Sequence, residues 1–218
     1  MAQSLSRFFF VALAFSAAAL AAPEKWKNDI DAFVAADAAH PPQQNAVVFV
    51  GSSSIVKWKS LTQDFPGISL INRGFGGSEL ADSAAYVGNI VIPYHPRAVV
   101  LYAGDNDIAA GKSPEAVLAD FRVFREKIHS ALPSTQIFYL SIKYSPSRAK
   151  FQDAMRRTNE LIAADCAAAN HCTFVDVNST MLDANGQARP ELFEPDQLHM
   201  KPSSYALWVK KLAPLLQP

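Results

Sequence analysis

The sequence predicts an α/β fold, an open sandwich in which helices cover both faces of a parallel sheet. Two observations lead to this prediction. Five short runs of apolar residues, rich in β-branched and aromatic side chains, recur along the chain, and helical patterns lie between them. The chain has 218 residues, half of them hydrophobic, so it can bury one sizeable core, and a single domain is expected after the leader described below.

The five runs are nearly continuous in apolar character and do not alternate with polar residues. This composition is typical of strands that are covered on both faces of a parallel sheet. The predicted strands are Ala46 to Val50, Ile68 to Ile71, Ala98 to Tyr102, Ile137 to Ile142 and Thr173 to Val177.

Five helices are predicted around these strands. The best marked follows Ser113, an N-cap residue that precedes a proline in the first helical position. The last helix is expected to stop before Pro214, because proline lacks the N–H that continues a helix. The helical segments are Asn28 to Ala39, Glu79 to Ile92, Ser113 to Leu132, Ala149 to Ala169 and Ser204 to Leu212.

The first residues have the pattern of a secretory signal peptide. Arg7 precedes an apolar run that is too short to span a bilayer comfortably, and Ala19 to Ala21 supply the small residues of a cleavage site. We therefore predict a signal peptide over residues 1–21, a domain over residues 22–218, and export to the periplasm or the outside of the cell. No cysteine follows the run, so no lipid anchor or stable membrane attachment is expected.

Composition excludes several functions. Lys and Arg together number 20, as do Asp and Glu, so no basic excess is available for general nucleic-acid binding. Two cysteines and scattered histidines do not form a zinc pattern, and no metal is expected. In an oxidising compartment Cys166 and Cys172 could pair, or they could remain two separate thiols.

Polar residues follow the predicted strands at the sheet edge where α/β folds bind their ligands. Asp196 stands three residues before His199, so it can accept from Nδ1–H and leave Nε2 free as a general base. The other polar segments are Gly51-Ser52-Ser53-Ser54, Asn72 to Ser78 and Gly104-Asp105-Asn106-Asp107. Together they supply a nucleophilic hydroxyl, a base, an orienting carboxylate and oxyanion donors, which is the set that a serine hydrolase requires.

These four segments resemble the blocks of the SGNH/GDSL hydrolases, in order and over nearly the whole mature chain. The resemblance implies a three-layer, flavodoxin-like fold with a five-stranded parallel sheet and no cofactor. It implies a serine esterase or acylhydrolase that cleaves short-chain, above all acetyl, esters of a small molecule or a carbohydrate. The residues that correspond to the family's machinery are Ser53, Asp196 and His199 for the triad and Ser53, Gly77 and Asn106 for the oxyanion hole.

One position departs from the family pattern. Ser52 stands where the first block usually has aspartate, so a carboxylate beside the nucleophile is lost. Ser52 is expected to keep a hydrogen bond within the turn, and Ser54 is the alternative to Ser53 as the attacking hydroxyl.

Three other functions stay open. The same triad could transfer an acyl group to a carbohydrate hydroxyl, or it could act on lysophospholipids or thioesters. The chain could also be a carbohydrate-binding module on a catalytically inactive scaffold, a possibility that only Ser52 favours. Oligomeric state is not predicted.

Overall fold

Five parallel strands form one sheet, as the sequence predicts. The computed structural model describes residues 24–217, so the signal peptide predicted over residues 1–21 lies outside the described residues. The strands are β1 (Val47–Gly51), β2 (Leu70–Gly74), β3 (Ala98–Tyr102), β4 (Gln136–Leu140) and β5 (Cys172–Val175). Their order in the sheet is β2-β1-β3-β4-β5, which is the order of flavodoxin-like folds.

The last two strands end earlier than predicted. Backbone pairing of β4 with β5 stops at Leu140 and Val175. Beyond that point the Val177 N–H donates to the Ser141 hydroxyl and not to a backbone carbonyl, at 3.0 Å. Ile142 and Val177 are buried and apolar, as strand residues would be. The hydrogen bond to the Ser141 side chain replaces the backbone hydrogen bond that would continue the strand pairing.

The order of the strands determines where a site can form. The chain moves from β1 to β2 on one side and then crosses to β3 on the other side of β1. The carboxyl ends of β1 and β3 therefore flank the crevice at which open α/β sheets bind ligands.

Helices cover both faces of the sheet and bury two cores. Alternate residues of β1 face opposite layers, because successive side chains of a strand point to opposite sides. Val48 and Val50 join the core that includes Phe121, whereas Phe49 joins the core that includes Trp208. The helices are α1 (Lys27–Ala39), α2 (Ser53–Val56), α3 (Leu61–Asp64), α4 (Leu80–Ala85), α5 (Val87–Ile90), α6 (Asp105–Ala109), α7 (Pro114–Ala131), α8 (Gln152–Ala167) and α9 (Tyr205–Leu216).

Two helix predictions in the middle of the chain need correction, and three short helices were missed. The segment Glu79 to Ile92 is two short helices, since Tyr86 adopts φ −96° and ψ 7° and turns the chain between α4 and α5. The beginning of the segment Ala149 to Ala169 belongs to a 3-10 helix that extends over Pro146–Phe151. The short helices α2, α3 and α6 had not been predicted, and two of them directly follow strands of the crevice.

The last helix passes through Pro214, contrary to the prediction. α9 continues to Leu216, whose side chain is fully buried and whose carbonyl accepts a hydrogen bond from the Arg97 guanidinium. A proline in the last turn removes only one backbone hydrogen bond, and the burial of Leu216 offsets that loss. None of the helices between residues 24 and 217 has both the length and the apolar character that crossing a bilayer requires.

Cys166 and Cys172 form a disulfide that joins the end of α8 to the start of β5. Replacing both with alanine is expected to lower the free energy of unfolding by about 2 kcal/mol, because a short cross-linked loop reduces the entropy of the unfolded chain only modestly. Urea unfolding monitored by circular dichroism measures this change. Wild-type protein in excess reductant is the control and should match the double variant. An unchanged urea midpoint without reductant would contradict the prediction.

Candidate active site

The turn that carries Ser53, the predicted nucleophile, connects β1 to α2. Gly51 ends the strand with φ +141°, and a Cβ on it would lie only 1.9 Å from the Tyr102 carbonyl oxygen of β3. Glycine is therefore required there, both for the backbone angle and for the close approach of the two strands. The Ser52 N–H donates to that same carbonyl at 3.1 Å, and α2 begins at Ser53.

A hydrogen-bonded chain runs from Ser53 to His199 and on to Asp196. His199 Nε2 lies 2.9 Å from Ser53 Oγ, and His199 Nδ1 lies 2.6 Å from Asp196 Oδ2. With Asp196 ionised, Nδ1–H donates to the carboxylate and Nε2 accepts from the serine hydroxyl. The structure thus brings together three predicted residues, two of which are 146 positions apart in sequence.

The turn from Asp196 to His199 holds the carboxylate in place. Asp196 Oδ1 accepts from the N–H groups of Leu198 and His199, both at 2.9 Å, and Gln197 takes the left-handed φ of +54° that closes the turn. The His199 ring and then these backbone groups hold the pKa of Asp196 well below its usual range. A lowered aspartate pKa stabilises the fold above the unfolded pKa, and this contribution is lost only as pH falls through the folded value. The turn therefore keeps its charge down to strongly acidic pH.

The neighbouring serines do not reach the histidine. The Ser54 and Ser52 hydroxyls are buried and have no hydrogen-bond partner within residues 24–217. The expected hydrogen bond of the Ser52 side chain within the turn is therefore wrong: only its backbone pairs, because the side chain lies in a packed interior. Of the two candidate nucleophiles, Ser53 is the one that contacts His199.

Gly77 lies in the loop that follows β2. Its φ of +80° is left-handed, and its N–H has no acceptor within the part of the chain that the structure describes. A Cβ on the adjacent Gly76 would lie 4.0 Å from Ser53 Cβ, so the loop passes directly beside Ser53. The exposed Gly77 N–H is free to donate to a ligand at this edge.

Asn106 lies in the first turn of α6, at the carboxyl end of β3. Its Nδ2 donates one hydrogen to the Ser78 carbonyl at 3.0 Å, and its backbone N–H donates to Asp105 Oδ1 at 3.0 Å. An asparagine amide carries two hydrogens, so one remains for a ligand. Both the side chain and the backbone of Asn106 are thereby oriented before any substrate binds.

A buried charged cluster beneath this edge was missed by sequence reasoning. Lys143 is almost completely buried; its Nζ donates to the Tyr102 hydroxyl at 3.0 Å and lies 3.5 Å from Asp105 Oδ2. Burial lowers the pKa of Lys143, and Asp105 opposes that effect. The one feature of the sequence that could have indicated this cluster is a lysine directly after an apolar strand. The same feature is found where a strand ends in solvent, so it does not predict a buried charge.

The comparisons with known proteins agree with this architecture. The model of the GDSL-like Lipase/Acylhydrolase family matches residues 50–207, which is more than half of the chain. No curated protein is similar enough to match the chain.

Within residues 24–217 no three His, Cys, Asp or Glu side chains are grouped so that they could hold a metal ion.

Three solved structures share the fold at low sequence identity. A Streptococcus pneumonia protein whose name refers to platelet activating factor is 20% identical, with a TM-score of 0.77, over 88% of this chain and 92% of that chain. A GDSL-like lipase from Bacteroides thetaiotaomicron is 20% identical, with a TM-score of 0.72, over 86% and 96%. An acetylxylan esterase from Geobacillus stearothermophilus is 14% identical, with a TM-score of 0.64, over 81% and 96%. The chain belongs to the GDSL-like lipase/acylhydrolase family of hydrolases.

Proposed function

We propose that the chain is a serine esterase that cleaves short-chain, above all acetyl, carboxylic esters. The observation that carries the proposal is the hydrogen-bonded chain of Ser53, His199 and Asp196, with distances of 2.9 and 2.6 Å. A serine hydroxyl whose proton is already directed at an imidazole is an activated nucleophile, and the ionised Asp196 stabilises the imidazolium that forms.

The mechanism is acyl transfer through a covalent intermediate. Ser53 Oγ attacks the ester carbonyl carbon while His199 Nε2 takes the hydroxyl proton. The Ser53 and Gly77 N–H groups and the Asn106 amide stabilise the resulting oxyanion. The C–O bond to the leaving alcohol breaks as His199 returns the proton to it, and an acyl-serine remains. Water then attacks the acyl carbon while His199 takes one of its protons. The bond from the acyl carbon to Ser53 Oγ breaks as His199 returns that proton to Oγ, and the free acid leaves.

The substrate class is proposed on two grounds. The Geobacillus stearothermophilus relative is an acetylxylan esterase, which supports O-acetyl groups on carbohydrates as the target. A signal peptide over residues 1–21 would bring the enzyme outside the cytoplasm, where polysaccharides are found. Transfer of the acyl group to a sugar hydroxyl uses the same acyl-serine, with the sugar taking the place of water.

The test uses the chain without residues 1–21 on p-nitrophenyl acetate, butyrate and octanoate, and on acetylated xylo-oligosaccharides. We expect kcat/KM to be highest for acetate, because each methylene that a short acyl pocket rejects changes kcat/KM by about 10-fold or more. The protein should also release acetate from the acetylated xylo-oligosaccharides. Product analysis with added free sugar separates hydrolysis from acyl transfer. Absence of turnover, together with absence of labelling by a serine-directed phosphonate, would contradict the proposal and favour a binding module.

A further inference from the structure

We propose that Asp107 is a positioning residue that holds the oxyanion loop, defined here as Gly77–Leu80, in its active geometry. The inference rests on the proposed function, because it concerns how the Gly77 N–H is held in the proposed oxyanion hole. Asp107 does not touch the reacting atoms. It acts through the loop, together with the neighbouring Lys112.

Three successive residues of the oxyanion loop are each tied to the segment 106–112. The ties are Asn106 Nδ2 to the Ser78 carbonyl at 3.0 Å, Lys112 Nζ to Glu79 Oε2 at 2.9 Å, and the Leu80 N–H to both Asp107 oxygens at 3.1 Å. Because these ties are consecutive, the loop cannot shift as a unit without breaking all of them. The two parts of the oxyanion hole, the Gly77 N–H and the Asn106 amide, are thereby held relative to one another.

The Asp107 carboxylate stands at the centre of these ties. It is fully buried and accepts from Lys112 Nζ at 3.1 Å in addition to the Leu80 N–H. The charged and titratable groups that face it are Lys112, Glu79, Tyr139 and, beyond Lys112, Asp120. A carboxylate accepts hydrogen bonds on both oxygens, whereas an asparagine amide would turn an N–H towards one of the two donors.

The charge of Asp107 is kept at a cost to stability. Burial raises its pKa to about 6, although Lys112 opposes the shift. The pKa of Asp107 in the folded state therefore exceeds the ordinary value of 3.8. Its contribution to the free energy of unfolding is fully present below pH 3.8 and is lost as pH rises through about 6, where the buried carboxyl ionises. A group kept for packing alone would be better neutral, which is consistent with a role in holding the loop.

The first test is Asp107→Asn, assayed with p-nitrophenyl acetate. We expect kcat to fall about 10-fold with KM nearly unchanged, because a small displacement of catalytic groups slows chemistry more than binding. Relative to that of the wild type, the melting temperature of Asp107→Asn should be highest at pH 8 and should decrease as pH falls below 6, because the wild-type carboxylate then becomes protonated and its cost to stability disappears. Asp120→Asn is the matched control: it removes another carboxylate partner of Lys112 without touching the loop, and its kcat should stay at the wild-type value.

The second test is Lys112→Gln, which keeps a hydrogen-bond donor beside Asp107 but removes the charge that lowers its pKa. Asp107 should then be more protonated at pH 7, so kcat should fall at neutral pH and recover in part towards pH 9 as the carboxylate ionises; the ion pair with Glu79 stays broken at every pH. If Asp107→Asn fails to fold, this recovery of kcat still tests whether the Asp107 carboxylate positions the oxyanion loop.

The outcomes separate the two proposals. An active wild type with an unchanged kcat in Asp107→Asn, or with a kcat of Lys112→Gln that shows no rise between pH 7 and pH 9 relative to the wild type, overturns the positioning role alone. A loss of kcat in Asp107→Asn that accompanies a lowered melting temperature, together with a kcat of Lys112→Gln that does not rise towards pH 9, points to structure only and also overturns it. A wild type without turnover or phosphonate labelling overturns both proposals.

Discussion

Replacing Ser53 with alanine is expected to lower kcat for p-nitrophenyl acetate by about four orders of magnitude or more. The variant cannot form the acyl-serine, so only binding and oxyanion stabilisation remain to accelerate attack by water. Initial rates of mature wild type and Ser53→Ala, measured side by side, test this expectation. Thermal denaturation should show no loss of stability, since Ser53 is partly exposed and, among residues 24–217, its hydroxyl pairs only with His199.

Ser54→Ala is the matched control for this experiment. The Ser54 hydroxyl is buried and has no partner within residues 24–217, so its removal breaks no hydrogen bond and should change kcat by at most about twofold. A Ser53→Ala protein with wild-type turnover would refute the assignment of the nucleophile. If Ser54→Ala were the inactive variant instead, Ser54 would be the attacking residue and the first turn of α2 would have to rotate in the complex.

Replacing Asn106 with alanine is expected to reduce kcat by about 100- to 1,000-fold with little change in KM, because the amide stabilises charge that develops only in the transition state. Asn106→Asp should be at least as impaired, since a carboxylate repels the oxyanion while keeping the size of the side chain. Steady-state kinetics of both variants measure the split between kcat and KM.

The control for the Asn106 variants is their folding. The Ser78 carbonyl loses its partner, so both variants should be slightly less stable yet folded, as circular dichroism will show. Retention of most of the wild-type rate by either variant would mean that Asn106 does not donate to the oxyanion. The Ser53 and Gly77 N–H groups would then have to stabilise it alone.

The sequence predicted the fold class and the family, and both predictions are confirmed. Apolar runs such as Ala98 to Tyr102 are local signals, because a strand covered on both faces has to be apolar throughout. The short segments after the strands are equally local, since a glycine such as Gly51 is required by its own backbone angle. These features can be read without knowing what packs against them.

Helix boundaries could be predicted only in part. Ser113 caps α7 as predicted, with its side chain accepting from the Ala116 N–H at 3.2 Å. Pro214 did not end α9, because the buried Leu216 and a hydrogen bond from Arg97 stabilise the last turn from outside the helix. Proline disfavours a helix through its own backbone, which is a local effect. The hydrogen bond that offsets this effect joins Leu216 to Arg97, which is 119 residues away in sequence.

By itself the sequence determined the fold class, the family and which polar segments follow the strands at the edge of the sheet. Only the tertiary structure decided how they are held. It placed His199 beside Ser53 and not beside Ser54, and it buried Lys143 and Asp107. The physical reason is that residue type and spacing set local conformation, whereas the burial of a charge and the partner it finds depend on segments that meet only when the chain folds.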